Sequence, residues 1–210
     1  MCWNQYVSLN TFVFSTFVLC LMIYNDKFTP YKMNFANSIY LYFFILSFSL
    51  MQLIEYFIWK NINNKEKVRT ISIYGQLLVI IQPIVSLLLL KNLLLRWIMI
   101  IIYSIPASIL FISSNKKYKT TVLHGHLKWK WIPSTPIMYY VWLFFLLFSF
   151  IVNGYYTYII IALFLFVITC WSNYYNGTSG SLWCWSINLF MLIIAVYILL
   201  VLPFKEHGIC

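Results

Sequence analysis

The sequence predicts an all-α fold, a polytopic transmembrane bundle of about seven spans, and three observations carry that reading. Of the 210 residues, 63% are hydrophobic and only 9% are charged, whereas a water-soluble domain is about half apolar and about a quarter charged. The mean hydropathy is +0.85. The apolar residues also fall into runs close to the roughly 20 residues that a helix needs to cross a hydrocarbon core.

Those runs cover 7–24, 38–59, 71–90, 93–112, 136–152, 155–171 and 182–202. The first has no basic segment or small-residue cleavage site before it, so it reads as its own insertion signal rather than a removable leader. The third and fourth nearly merge. Lys91, Asn92 and Arg96 interrupt an apolar stretch too long for one crossing, so a tight helical hairpin is expected there. The fifth and sixth are joined by Asn153-Gly154, a dipeptide whose residues tolerate positive φ in a turn. The seventh follows "GTSGS" (177–181), where Ser179 or Ser181 can cap a helix and leave backbone donors facing an anion. "GTSGS" lacks the final glycine of the nucleophile elbow G-x-S-x-G, and capping is the plainer role. The longest connection, Ser113–Thr135, is too short for a second domain, and no internal repeat is evident, so residues 1–210 read as one integral membrane domain.

Seven spans put the termini on opposite sides. The even loops, which share a side with the N-terminus, hold Lys60, Lys65, Lys67, Arg69, Lys116, Lys117, Lys119, Lys128 and Lys130; the odd loops and the C-terminus hold Lys27, Lys32, Lys91, Arg96 and Lys205. Nine bases against five place the N-terminus in the cytosol and the C-terminus outside. The sequon Asn176-Gly177-Thr178 argues for the reverse, but it lies close to the membrane in a short loop, and the charge bias decides. The net charge of +10 is carried by these connections. It implies contact with the bilayer and its anionic lipid headgroups rather than with nucleic acid, because no basic face accompanies a nucleic-acid-binding motif. Cys2, Cys20, Cys170, Cys184 and Cys210 form no CxxC pair, which implies neither a disulfide framework nor a zinc site. No cofactor is implied.

The chemistry gathers in spans two and three. Only four residues are acidic, and Asp26, Glu66 and Glu206 sit in polar connections; Glu55 alone interrupts an apolar run. A charge within a membrane span is expensive, so such residues are functional candidates by default. Ser49, Gln52 and Glu55 recur at the helical period, with Trp59 a turn further on, and should face protein rather than lipid. Glu55 falls about four residues from the end of its span, nearer the interface than the midplane. In span three, Ser72, Gly75, Gln76, Gln82, Pro83 and Ser86 form a matching sector. Pro83 gives up a backbone donor and frees a carbonyl one turn earlier, which must find a partner. A bond from Glu55 to Gln76 or Tyr74 is the simplest expectation. The competing role for this stripe is a hydrogen-bonded clasp between helices.

On the same side, "TVLHGHLKWKW" (121–131) alternates His124, His126, Lys128 and Lys130 with Leu123, Leu127, Trp129 and Trp131. The period of two suits an extended segment lying on the interface with its rings down. His124 and His126 are interface contacts on this reading, as are Trp183 and Trp185. A metal needs a third ligand, and none is close in sequence.

At "MCWNQYVSLNTF" (1–12), "MQLIEYFIWKNIN" (51–63), "IQP" (81–83), "GSLWCW" (180–185) and "LPF" (202–204), the chain resembles uncharacterised multi-span membrane proteins of large DNA viruses and environmental relatives. The resemblance covers nearly the whole length and implies no activity, only that the even-loop side is the one in use. A seven-helix retinal protein is excluded because 182–202 contains no lysine for a Schiff base, and the histidine and aspartate pattern of membrane ceramidase-like hydrolases is missing. Three functions compete: a small-solute or proton/cation transporter or channel along Ser49, Gln52, Glu55, Gln76 and Gln82; a membrane-embedded enzyme acting on lipid headgroups; and a scaffold acting through the basic, Trp-rich loop 113–135. The shared polar stripe favours the first, a non-enzymatic role.

Overall fold

Asparagine side chains open three of the helices. Asn4 Oδ1 accepts from the backbone N–H groups of Tyr6 and Val7 at 2.9 and 3.0 Å, Asn64 Oδ1 from Lys67 at 3.1 Å and Asn92 Oδ1 from Leu95 at 3.0 Å. Each satisfies a donor that the first helical turn leaves over. The computed structural model describes residues 4–30, 33, 38–114, 120–123, 125–130, 136–173 and 179–206. The capped helices are α1 (Gln5–Phe28), α3 (Lys65–Leu87) and α4 (Leu93–Ser114); the others are α2 (Ile39–Lys60), α5 (Pro136–Val152), α6 (Tyr156–Asn173) and α7 (Ser179–Val196).

A helix therefore stands at each of the seven predicted runs. The Asn64 cap starts α3 six residues before its apolar run, at Lys65. Beyond α7 the chain passes through a π turn, Tyr197–Val201, into α8 (Leu202–Glu206), with the Leu202 N–H donating to Tyr197 O, five residues back. Pro203, next in line, has no N–H to continue the regular ladder. Four helical segments, Gln5–Phe28, Ile39–Lys60, Lys65–Leu87 and Leu93–Ile112, are long and apolar enough to cross a membrane, while the apolar stretches described in the remaining helices, Ile137–Val152, Tyr156–Ile168 and Asn188–Phe204, are shorter. This is the fold of a helical membrane protein. Its outer surface agrees: Trp97, Ile101, Ile105 and Ile112 form a stripe on α4 that is 57–71% exposed, a patch that water would not tolerate and lipid would.

Consecutive helices pack against one another throughout, and α7 closes back on α1 and α2. Asn188 Nδ2 donates to Thr11 Oγ1 at 2.9 Å across the α1–α7 seam. α3 is the hub, in contact with α2, α4 and α5. Between α4 and α5 the chain adds a two-stranded antiparallel hairpin, β1 (Thr120–Leu123) and β2 (His126–Trp129), with Val122 opposite Leu127 and Leu123 opposite His126. Gly125 turns it at φ +76°.

The Asn153-Gly154 turn forms as expected. Gly154 sits at φ +78°, and Asn153 Nδ2 reaches back to Leu89 O at 3.1 Å. A Cβ at Gly154 meets nothing within 4 Å, so substitution there costs backbone strain alone. Gly154→Ala is expected to destabilise the protein by about 1–2 kcal/mol, read as a lower unfolding temperature in detergent, with Gly154→Asn intermediate. An alanine variant as stable as wild type would mean that the turn relaxes to negative φ.

Candidate functional site

α3 presents its whole predicted sector inward: Ser72, Gly75, Gln76, Gln82, Pro83 and Ser86 are all buried. Each polar member with a bond to a neighbour ties a different element. Ser72 Oγ lies 2.9 Å from Thr120 Oγ1 on β1. Gln76 Nε2 donates to Leu110 O of α4 at 3.0 Å, and Gln82 Nε2 makes a long 3.4 Å contact with Ser47 O of α2. Ser86 Oγ donates to Leu146 O of α5 at 2.6 Å and lies 2.8 Å from Ser149 Oγ.

The carbonyl freed by Pro83 and the one after it are also served. Trp142 Nε1 donates to Val79 O, the carbonyl four residues before the proline, at 2.9 Å, and Tyr103 Oη donates to Ile80 O at 3.2 Å. The expectation that these groups need partners is met by one ring from α5 and one from α4.

The α2 face is buried as well. Ser49 and Glu55 are 0% exposed and Gln52 2%, and Ser49 Oγ donates to Ile45 O of its own helix at 3.3 Å. The expected bond from Glu55 to Gln76 or Tyr74 is not formed. Gln76 turns its amide to α4, and Tyr74 is 62% exposed on the outer face of α3; helix rotation, which residue spacing alone leaves open, decides this. Glu55 instead sits one turn from Met51 and one from Ile58, the α2 residues that share a core with Val68, Leu127 and Trp129. Leu127 is 0% and Trp129 6% exposed. The segment expected to lie on the interface with its rings down is extended, as its alternation predicts, but it folds back on itself and drives one face into the bundle beside α2 and α3. The expected interface contact His126 is half-buried on the opposite face of β2. His124 lies outside the described residues, as do the side chains of Trp183 and Trp185.

At the other end of the bundle, α2, the α3–α4 connection with the start of α4, the α5–α6 turn and α7 line a cleft of about 260 Å³. Its mouth is polar and basic, with Tyr40, Lys91, Arg96, Asn153, Tyr155 and Tyr158 among its walls. Inward lies a second, smaller space of about 80 Å³, which shares Phe44, Phe150, Tyr158 and Phe190 with the first and reaches Phe48 and Leu165. Its walls are almost wholly apolar. Phe48 precedes Gln52 by four residues and Glu55 by seven, so cleft and carboxylate lie on the same face of α2.

The Arg96 guanidinium stands 5.3 Å from the Tyr40 ring centroid, and its Nε and Nη2 donate to Leu90 O at 3.0 and 2.5 Å. The sequence alone offers little at this end beyond Asp26, a few bases and Asn153. Its parts come from four segments far apart in the chain, and the only advance signal was an arginine just inside an apolar run. No family model, curated protein or solved structure matches the chain. Among the described residues no group of three metal-ligating side chains occurs.

Proposed function

We propose that this membrane protein is a small-solute carrier in which Glu55 takes up a proton or cation, with Gln52 beside it. The observation that carries the reading is the alignment along α2: a cleft enters from one end of the bundle and stops at Phe48, one turn short of Gln52, while the hairpin covers the Glu55 end. A carboxylate near one interface, approached by a cleft from the opposite end and covered at its own, is an arrangement that alternating access could use. Gln76 and Gln82, engaged with α4 and α2, hold the helices around the path, and Ser49 bonds within α2. Leu127 and Trp129 are spent on the bundle, which favours closing a site over docking a partner. The nine-to-five bias of bases supports a cytosolic position for the hairpin end.

The test is flux. Protein reconstituted into liposomes holding a pH-sensitive dye, and driven by a potassium diffusion potential, should pass protons at a rate that Glu55→Gln lowers at least tenfold. Gln52→Leu should lower it less. No flux from the wild type, or equal flux from a Glu55→Gln protein with an unchanged unfolding temperature, would remove the carrier reading.

A further inference from the structure

The geometry points to what enters the cleft: we infer that it binds an amphiphile with an anionic head and a single apolar chain, the head at Arg96 and Lys91 and the chain running inward past Phe44 and Phe150. The inference rests on the carrier reading only for the consequence that this amphiphile is cargo; binding itself does not depend on transport.

The polarity of the cleft is graded in one direction. Lys91 and Arg96 stand at the mouth with Asn153 and the tyrosines, and the inner space is bounded by Phe44, Phe48, Leu146, Leu147, Ala162 and Leu165, among others. Asp26, Glu55 and Glu66, the acidic residues whose side chains are described, are absent from the walls of both spaces. A cation would therefore meet two positive charges and no compensating carboxylate, whereas a carboxylate or phosphate would meet charge and donors together. Bonds to Leu90 O, in the connection between α3 and α4, account for two of the five N–H groups of Arg96. Three remain, and both Arg96 and Lys91 line the open space. Stacking on Tyr40 holds the guanidinium in place, which lowers the cost of using it again.

Size narrows the class further. At about 260 Å³ the outer space is just below the roughly 300 Å³ at which sites for drug-sized ligands begin. It suits one chain and a compact head rather than a two-chain lipid. Basic pockets between membrane helices are a recurring way of holding anionic headgroups, and here the pocket continues into an apolar channel that gives the chain a place.

The experiment uses the full-length protein in phosphatidylcholine nanodiscs, with oleate, oleyl alcohol and lysophosphatidylglycerol as probes and native mass spectrometry as the readout. Oleate should bind at one per protein and oleyl alcohol at least tenfold more weakly. Lysophosphatidylglycerol binding in place of oleate would assign the head to phosphate and the source to lipid. The double variant Lys91→Gln, Arg96→Gln should lose at least tenfold in affinity for the anion that binds. Ala162→Phe, which fills the inner space and leaves the charges alone, should lose it too. Because Arg96 also holds the α3–α4 connection through Leu90 O, Lys91→Gln alone serves as a second variant, with an expected loss of several-fold. Equal binding of oleate and oleyl alcohol, binding of neither anion, or an affinity indifferent to Ala162→Phe would overturn the proposal. Binding without flux would remove the carrier reading alone, and proton flux without binding would remove this one alone.

Discussion

Leu127→Ala is expected to lower the stability of the folded protein by about 2–5 kcal/mol, the range for truncating a fully buried leucine, and to open Glu55 to solvent. Leu127 is 0% exposed in a core with Met51 and Ile58 of α2 and Val68 of α3, and Glu55 lies between those two α2 residues. Its cross-strand partner Val122 is 44% exposed, so Val122→Ala touches the same hairpin without touching the contact and should cost under about 1 kcal/mol. The pair of variants separates loss of docking from loss of strand pairing. Two measurements check it: unfolding temperature in detergent, and modification of Glu55 by a water-soluble carbodiimide, located by mass spectrometry. Faster labelling of Glu55 in Leu127→Ala than in Val122→Ala is the expected outcome. Equal labelling in all three proteins would mean that the hairpin does not cover the carboxylate.

The hairpin also marks where the sequence stopped being informative. The helices were legible because hydrocarbon thickness sets their length and because Lys91, Asn92 and Asn153-Gly154 interrupt the apolar runs with residues that suit turns. The inward sector of α3 was legible for a similar reason: in a membrane a polar side chain has nowhere to go but toward protein, so Ser72, Gln76, Gln82 and Ser86 had to share a face. The alternation of 121–131 was real too. What it could not disclose was the destination of the rings, since a strand lying on lipid and a strand inserted between helices show the same period of two.

Pairing was illegible for a different reason. Gln76 is buried as its spacing requires, yet whether its amide meets Glu55 or Leu110 O depends on how α3 is rotated about its own axis. The cleft was hidden for the opposite reason to the stripe. Tyr40, Arg96, Asn153 and Tyr158 are each ordinary residues for the end of a membrane span, and only the packing of four helices brings them to one wall.

Pro83 supplies the sharpest test of how these helices are held. In a regular helix the N–H of residue 83 would bond Val79 O; proline removes it, and Trp142 Nε1 takes its place from α5. Trp142→Phe should therefore strand a buried carbonyl and cost about 1–3 kcal/mol, more than the roughly 0.6 kcal/mol average for interhelical hydrogen bonds in membranes. Tyr103→Phe should stay near that average, because Ile80 O, which Tyr103 serves, still faces the N–H of Ile84 in the regular ladder. The decisive construction is the cycle with Pro83→Ala. Alanine restores the local donor, so the indole becomes redundant, and Trp142→Phe in that background should cost only its packing loss. A coupling of about 1 kcal/mol or more, measured by unfolding in mixed micelles, is the expected outcome, within the range seen for residues that share one partner. Strict additivity would mean that Val79 O finds another donor when the indole is removed, and that the contact between α3 and α5 rests on shape rather than on the carbonyl that the proline frees.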